Sequence, residues 1–560
     1  MSGLMRITAQ LRDAVAEALS NAQSAGVLPS AGASEIAIEQ PKQEGHGDFA
    51  TSLPLRLART MKMAPPAIAT AIVEAFPESD VVEKVEVAGP GFINITLANA
   101  WFQEQVEVIR AAGAEFGNTD SKSGQKIQIE FVSVNPTGPL HVGHARGAVI
   151  GSGLANLLEA AGADVTREYY VNDAGNQMRV YTETLYARYM QAAGHDVPLP
   201  ETSYPGEYVA DLAKDLYEKD GGALVDLPKE EAIKALYQPG LDRNLALIKE
   251  DLEELNISYD VWFSEQSLFD TGRFDATMKE LEDGGFIVDR DGARWFASTQ
   301  LGEDKDNVVI RSTGGHTYFA SDIAYHAEKF KERNFDQVID VWGADHHGHV
   351  ARMKAAATAL GVDPNKLEII LNQIVSFKED GESLRFSKRK NVIVTVRELV
   401  DDVGSDAVRY TFLSRGAESQ MEFDLDLARK QSSDNPVYYV QYAHARLSGI
   451  LRNARETGID WADGDVSLLT HELEIALIRQ ITGLPDVVER SADRLEPQQI
   501  PHYATEVARA LQRFYDACRV ISEEEDDLPI SKARLKLVES ARIAIARCLT
   551  LMGMNAPERM

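Results

Sequence analysis

Hydrophobic and polar positions alternate in VEVAG and FINIT, on either side of Gly89-Pro90-Gly91, which predicts two short strands and a turn within 82–98. Helical spacing surrounds that signal, so residues 1 to about 115 read as an α+β domain, followed by a polar, glycine-bearing linker at 117–126. KIQIEFVS at 126–133 then predicts a strand, GHARGAVIGSGLANLLEAAG at 143–162 a helix ending at Gly162, and DVTREYYV at 164–171 a second strand. This βαβ order implies a parallel sheet with a right-handed crossover. FDQVIDVWG at 335–343, a helix over 349–361 and KLEIILNQIV at 366–375 extend the same sheet. Between about 190 and 290 a polar, acidic stretch is expected to be mostly helical and inserted into the sheet domain of 120–430. From 435 to 560 the pattern is helical with almost no strand signal and predicts a bundle.

The expected fold is therefore multidomain α/β: a Rossmann-like parallel-sheet domain between an N-terminal α+β domain and a C-terminal helical bundle. A chain of 560 residues is long enough for about three or four such domains. With 44% hydrophobic and 26% charged residues it is ordinary globular material, and its apolar runs are too short to span a bilayer. The N-terminus shows no signal-peptide pattern, so a cytoplasmic protein without membrane partners is expected. Cys518 and Cys548 are the only cysteines and are expected to be buried packing residues.

The net charge of −30 argues against nucleic-acid binding if taken alone, because phosphate contacts need Lys and Arg. Net charge does not describe local patches, however. Residues 435–560 carry 15 basic and 19 acidic side chains, five of the acids in one run at 523–527 that is expected to be a solvated turn. A local basic face for RNA remains open.

The chemistry concentrates in two places. HVGH at 141–144 sits where a strand ends and a helix begins, and a helix N-terminus with its unpaired NH groups suits phosphate. His141 and His144 can donate to phosphate oxygens, while Gly143 lets a nucleotide approach the backbone. RFSKRK at 385–390 lies between a strand and the helix of VTVRELVDDVG, where a basic loop can close over a triphosphate. Lys388 is the residue expected on the leaving pyrophosphate. Neither GxxxxGK[ST] nor GxGxxG occurs as an alternative phosphate site. His346, His347 and His349 cluster without the spaced partners of a zinc site, so no metal ligands are expected there. Asp345 and His346 are placed instead in the pocket at the carboxyl end of a parallel strand.

The HVGH and FSKRK pair resembles the HIGH and KMSKS signatures of class I aminoacyl-tRNA synthetases. The flanks EFVSVNPTGPLHVGHARGAVIG, REYYVNDAGNQ, YDVWFSE, WGADHHGHV, HGDFATSLPLRLAR, VAGPGFINITL and the terminal APERM resemble the arginyl-tRNA synthetase family in particular. The second motif departs from the family pattern, with Arg385 and Phe386 for its first Lys and Met and Arg389 for its final Ser. The resemblance implies two steps. L-arginine attacks the α-phosphate of ATP, and the arginyl group then passes to the terminal adenosine of tRNA(Arg). It implies Pro136, Gly138, His141, Gly143, His144, Ser387 and Lys388 around ATP, with Mg2+ carried by the phosphates. For arginine it implies Glu265, Tyr318 and Asp322 at the guanidinium, Glu130, Ser133 and Asn135 at the amino and carboxylate groups, with His346 beside them. It further implies an N-terminal tRNA-contacting domain, an anticodon-binding bundle whose first helix carries Tyr438, Tyr439 and Tyr442, and a monomer. Two other readings are an HxGH nucleotidyltransferase that acts on a small molecule without RNA, and a catalytically silent RNA-binding paralogue.

Overall fold

The computed structural model describes residues 7–31, 36–41, 45–384, 395–522 and 524–560. Their contacts form two compact units: the described residues of Met1–Gly113, Gly449–Gly483 and Arg509–Ile543 in one, and Ala114–Ser448, Leu484–Ala508 and Ala544–Met560 in the other.

In the first unit, α1 (Ile7–Ser24) buries Leu11, Val15, Ala18, Leu19 and Ala22, a single face at helical spacing. The strands β1 (Phe49–Thr51), β2 (Val82–Ala88) and β3 (Phe92–Leu97) form an antiparallel sheet in the order β1-β3-β2. The two-strand reading of 82–98 is thus realised, with Ile93, Ile95 and Leu97 turned into the core. Between β1 and β2 lie α2 (Leu53–Met61) and α3 (Pro65–Glu74), and after β3 comes α4 (Asn99–Ala112). From α4 the nearly buried Gln103 amide donates to the carbonyls of Ser467 and Leu469 at 3.1 and 2.9 Å, and Arg110 pairs with Glu539 at 2.7 Å. The N-terminal segment and part of the C-terminal helical region therefore fold as one body, through contacts that local periodicity cannot reveal.

The second unit is built on a five-stranded parallel sheet. Its strands are β4 (Lys126–Phe131), β5 (Asp164–Val171), β6 (Val261–Ser264) and, after a small antiparallel sheet of β7 (Ile287–Arg290), β8 (Ala293–Phe296) and β9 (Asn307–Ile310), β10 (Gln337–Gly343) and β11 (Leu367–Asn372). The order is β11-β10-β4-β5-β6, and every neighbouring pair is parallel. Four of these strands match the sequence reading. The fifth, β6, lies inside the stretch expected to be mostly helical, because four residues are too few to display a period of two. Around it that stretch is indeed helical, holding the end of α6 (Asn176–Ala192), after α5 (Val142–Ala160), and then α7 (Glu207–Asp220), α8 (Lys229–Glu254), α9 (Gln266–Asp270) and α10 (Arg273–Asp283).

Side chains alternate along β4, so the two sheet faces receive different partners. Phe131 faces α5, where Gly147 and Gly151, four residues apart, bring the helix close to the sheet. A Cβ at Gly151 would lie 2.2 Å from Phe131 Cγ. Gln128 and Glu130 face the other way, toward α11 (Tyr318–Ala327), whose C-terminus runs into a π-helical turn at Glu328–Glu332. The unit continues through α12 (Val350–Ala359), a three-stranded sheet of β12 (Val375–Glu379), β13 (Glu382–Leu384) and β14 (Met421–Asp424), and, after β13, α13 (Val396–Val403) with a Thr395/Glu398 capping box and α14 (Ser405–Leu413).

Helices Pro436–Glu456, Glu472–Thr482, Leu484–Arg494, Gln499–Ala517 and Leu528–Leu551 complete the chain, with no strand among the described residues beyond 435. Cys518 and Cys548 are free and buried, as expected of packing residues. Arg409, fully buried on α14, donates to the carbonyls of Met552 and Leu255 at 2.6 and 2.7 Å and to Ser152 Oγ at 3.1 Å. Met552, close to the last residue, is thereby pinned to α14 within the second unit. No helix among the described residues is long and apolar enough to cross a membrane.

The close approach at Gly151 has a measurable consequence. Gly151→Ala should lower stability by about 1–3 kcal/mol or more through overpacking against Phe131, read as a lower melting temperature. An unchanged melting temperature would show that α5 can move off the sheet at no cost.

Candidate active site

The sheet order reverses direction between β4 and β10, and in open α/β sheets ligands bind at the carboxyl ends of the strands at such a switch point. HVGH follows β4, and the 3₁₀ turn of Ala344–His349 follows β10. The loop from β4 to α5 starts with two consecutive non-glycine residues in the left-handed region, Val132 at φ 72° and Ser133 at φ 43°, a strained arrangement that persists only under strong constraint. The constraint is visible. Ser133 Oγ accepts from Tyr170 NH at 3.0 Å, Tyr169 Oη donates to Val134 O at 2.9 Å, Asn244 to Pro136 O at 2.8 Å, and Tyr208 Oη to Thr137 O at 2.6 Å. Leu140 NH donates to Asp251 at 2.9 Å. Gly138 lies against Tyr208, whose ring would be 2.8 Å from an added Cβ. Asn135 is exposed on this loop.

The loop then enters α5 through His141, whose Nδ1 accepts from Gly143 NH at 3.0 Å as an N-cap. That bond decides the tautomer: a nitrogen that accepts carries no proton, so the proton sits on Nε2, which can donate. Burial holds the His141 pKa down. His144 stands beside it, ring centroids 6.1 Å apart, with Nδ1 buried and unpartnered. Burial, and then the neighbouring His141, push its pKa down to about 4. Both rings are thus neutral hydrogen-bonding groups at a helix N-terminus, not fixed cations.

Behind this helix start the structure gathers an acidic pocket. Glu265 is 2% exposed and its Oε2 has no partner. The hydroxyls of Ser321 and Tyr170 are near enough to temper the rise that burial imposes on the Glu265 pKa, yet both are themselves buried without an aligned hydrogen bond. Asp322 lies on α11, one turn beyond Tyr318, and keeps some exposed surface. Burial first, then Glu130, Glu265 and Asp340 against a lowering by His326, push its carboxyl up to about 7. Tyr318 is 53% exposed at the start of α11, and Glu265 contributes to raising its pKa. Glu130 is 8% exposed, and its Oε2 accepts from Lys329 Nζ at 2.7 Å.

Glu130, Glu265, Tyr318 and Asp322 are therefore brought into one electrostatic neighbourhood. His346 is exposed at the end of the neighbouring strand β10, with Trp342, His349 and the exposed Asp345 as its neighbours. Among the described residues no group of three His, Cys, Asp or Glu side chains is arranged to hold a metal ion. Ser387 and Lys388 lie outside the described residues.

Sequence reasoning missed the residues that brace the loop and line the pocket: Tyr169, Tyr170, Tyr208, Asn244, Asp251 and Ser321. One signal was available. Asn244 and Asp251 are seven residues apart, polar positions on the same helical face as the buried Leu241, Ile248 and Leu252. Polar residues on a buried helical face must have partners.

Comparison with known proteins agrees along the whole chain. Residues 9–97 match the arginyl tRNA synthetase N terminal domain, residues 105–413 the catalytic domain of class I tRNA synthetases (R), and residues 440–560 the DALR anticodon binding domain. An arginine–tRNA ligase of Dehalococcoides mccartyi is 46% identical over 560 residues, covering all of both chains. One of Geobacillus thermodenitrificans is 44% identical over 99% of this chain and all of its own. The solved Thermus thermophilus arginyl-tRNA synthetase shares the fold with a TM-score of 0.78, at 22% identity over 98% of this chain and 100% of that one. Similarity of this extent, over the full length and in all three segments, establishes that the chain belongs to the class I arginyl-tRNA synthetase family.

Proposed function

We propose that this chain activates L-arginine with ATP and transfers it to the terminal adenosine of tRNA(Arg). A carboxylate oxygen of arginine attacks the α-phosphorus, and pyrophosphate leaves with the electron pair of the broken P–O bond. The adenosine hydroxyl then takes the arginyl group, and AMP leaves. No enzyme nucleophile is needed, so catalysis rests on positioning and on donors aimed at developing charge. His141 Nε2–H and the neutral His144 are placed for the ATP phosphates, with Pro136, Gly138 and Gly143 forming the wall of the site. Ser387 and Lys388 are assigned to the phosphates on sequence resemblance alone, and Mg2+ enters with ATP. Glu265, Tyr318 and Asp322 take the guanidinium, while Glu130, Ser133 and Asn135 take the amino acid's α-substituents and His346 flanks the pocket. By the same resemblance, residues 1–115 contact tRNA, 120–430 catalyse, with the mostly helical region near 190–290 as an insertion, and 435–560 read the anticodon, in a cytoplasmic monomer.

The observation that carries this reading is the set of buried, unpartnered oxygens on Glu265, Ser321 and Tyr170 beside the half-buried Asp322. Such acceptors suit a planar cation with several fixed donors. The deciding experiment is ATP–pyrophosphate exchange with each amino acid, with and without tRNA. Exchange with arginine, dependent on added tRNA as in the synthetase subset this family resembles, is expected. Exchange with another amino acid, or equal exchange without RNA, would count against it.

His144→Ala should slow arginine activation by roughly a hundredfold, about 3 kcal/mol, while leaving arginine binding nearly unchanged. Near-normal activation in that variant would reduce HVGH to a structural helix start.

The carboxyl of Asp322, raised to about 7, gives a pH signature. Because its ordinary value is near 4, its ionisation should cost the free enzyme stability as pH rises from about 4 toward 7, and arginine should offset that cost. The KM for arginine should fall between pH 6 and 8. Asp322→Asn should abolish this slope and raise the arginine KM strongly, with ATP binding little changed. An unaltered arginine KM and slope would place Asp322 outside the pocket.

A further inference from the structure

The parallel register of the sheet sets Glu168 on β5 beside Glu130 on β4, and Glu130 beside Asp340 on β10. All three project from the face that α11 covers, and their residues are 0%, 8% and 0% exposed. Three carboxylates in adjacent positions would repel one another strongly in so dry a place unless each were neutralised. The segment that lies over them supplies the cations. Arg333 pairs with both oxygens of Glu168, to which Tyr325 also donates. Lys329, 0% exposed, reaches Glu130 at 2.7 Å and Asp340 at 2.9 Å.

His326 closes the set. Its Nδ1 lies 2.7 Å from the carbonyl of Asp322, which can only accept, so Nδ1 donates. Its Nε2 lies 2.8 Å from Asp340 Oδ2. The ring thus ties α11 to Asp340 on β10. The support is uneven: Asp340 is bonded by both Lys329 and His326 and its pKa is held down despite burial, whereas burial raises that of Glu130, which is bonded by Lys329.

We propose that Lys329 is a positioning residue for arginine recognition, holding Glu130 ionised and in place for the substrate's α-ammonium while tying the turn after α11 to the sheet. This rests on the assignment of Glu130 and Asp322 to the arginine site. Glu130 is faced by Asp340 from β10, by Glu168 and Tyr170 from β5, and by Asp322, Tyr325, His326 and Lys329 from α11 and the π turn. Lys329 is its one lysine or arginine contact within this group, and its ammonium also lies over Tyr325, 4.1 Å from the ring centroid. Without that ammonium, burial and the neighbouring Asp340 would favour the protonated Glu130 carboxyl, which has no charge for the substrate.

The test is steady-state aminoacylation from pH 6 to 9 with wild type, Lys329→Met, and the charge-matched Lys329→Met/Asp340→Asn double variant, with melting temperatures alongside. Lys329→Met should raise the arginine KM by about tenfold or more at pH 7, with the ATP KM within about twofold. The deficit should shrink as pH rises, since higher pH restores the Glu130 carboxylate, and the double variant should regain most of the lost affinity. A defect shared equally by arginine and ATP, or one independent of pH, would overturn the proposal. If Lys329→Met does not fold, the double variant decides: an arginine KM close to wild type supports the proposal, and one as poor as in Glu130→Gln overturns it. Asp322→Asn separates the two levels. An unchanged arginine KM there removes the pocket assignment and this inference with it, whereas a raised one, with Lys329→Met unchanged, overturns this inference alone.

Discussion

Glu168, Glu130 and Asp340 lie side by side across three neighbouring parallel strands, and the fold around the site depends on neutralising them. Burying three such charges is tolerable only if each has a well-placed counter-charge and hydrogen bonds. The partners come from one continuous segment, His326, Lys329 and Arg333, which matches α11 and the turn after it to the row of carboxylates. Asp322 is carried on the same helix, one turn before His326, with its carbonyl bonded to the His326 ring. The platform thus fixes the depth and angle at which the pocket's carboxylate is presented.

The opposite face of the sheet solves a different problem. There α5 comes close through glycines, which sets the HVGH end of the helix against the switch point. His141 serves both helix and site: one ring nitrogen caps the helix and the other keeps its proton as a donor. A fully protonated ring could not accept from Gly143, so the cap itself favours the neutral form. Strain at Val132 and Ser133 is held by hydrogen bonds from β5, α7 and α8, which gives the helices of 190–290 a direct role in shaping the loop that leads into HVGH.

On the proposed assignment, the pocket would discriminate by leaving acceptors unsatisfied. An ammonium could not span Glu265 and Asp322 as a planar guanidinium would, and a neutral isostere would leave their charge unbalanced. Desolvated acceptors without partners are costly, typically about 1–3 kcal/mol each and more when charged. Selection can therefore reside in the pocket itself.

The sequence determined much of this architecture. Period-two and helical spacing located four of the five sheet strands, the β2–β3 pair and the helical C-terminal region, because each depends on neighbours a few residues away. HVGH could be placed at a strand-to-helix junction for the same reason, and the family resemblance named Glu130, Glu265, Tyr318 and Asp322. The tertiary structure decided what local pattern cannot encode. β6 was too short to show alternation, and only its pairing with β5 makes it a sheet strand. The carboxylate row exists only because the register aligns residues 168, 130 and 340, far apart in the chain. The bracing by Tyr208, Asn244 and Asp251, and the joining of 449–483 and 509–543 to the N-terminal unit, likewise rest on long-range contacts. Even the proton position on His141 followed from one hydrogen bond, since a histidine's tautomer is set by its partner and not by its neighbours in sequence.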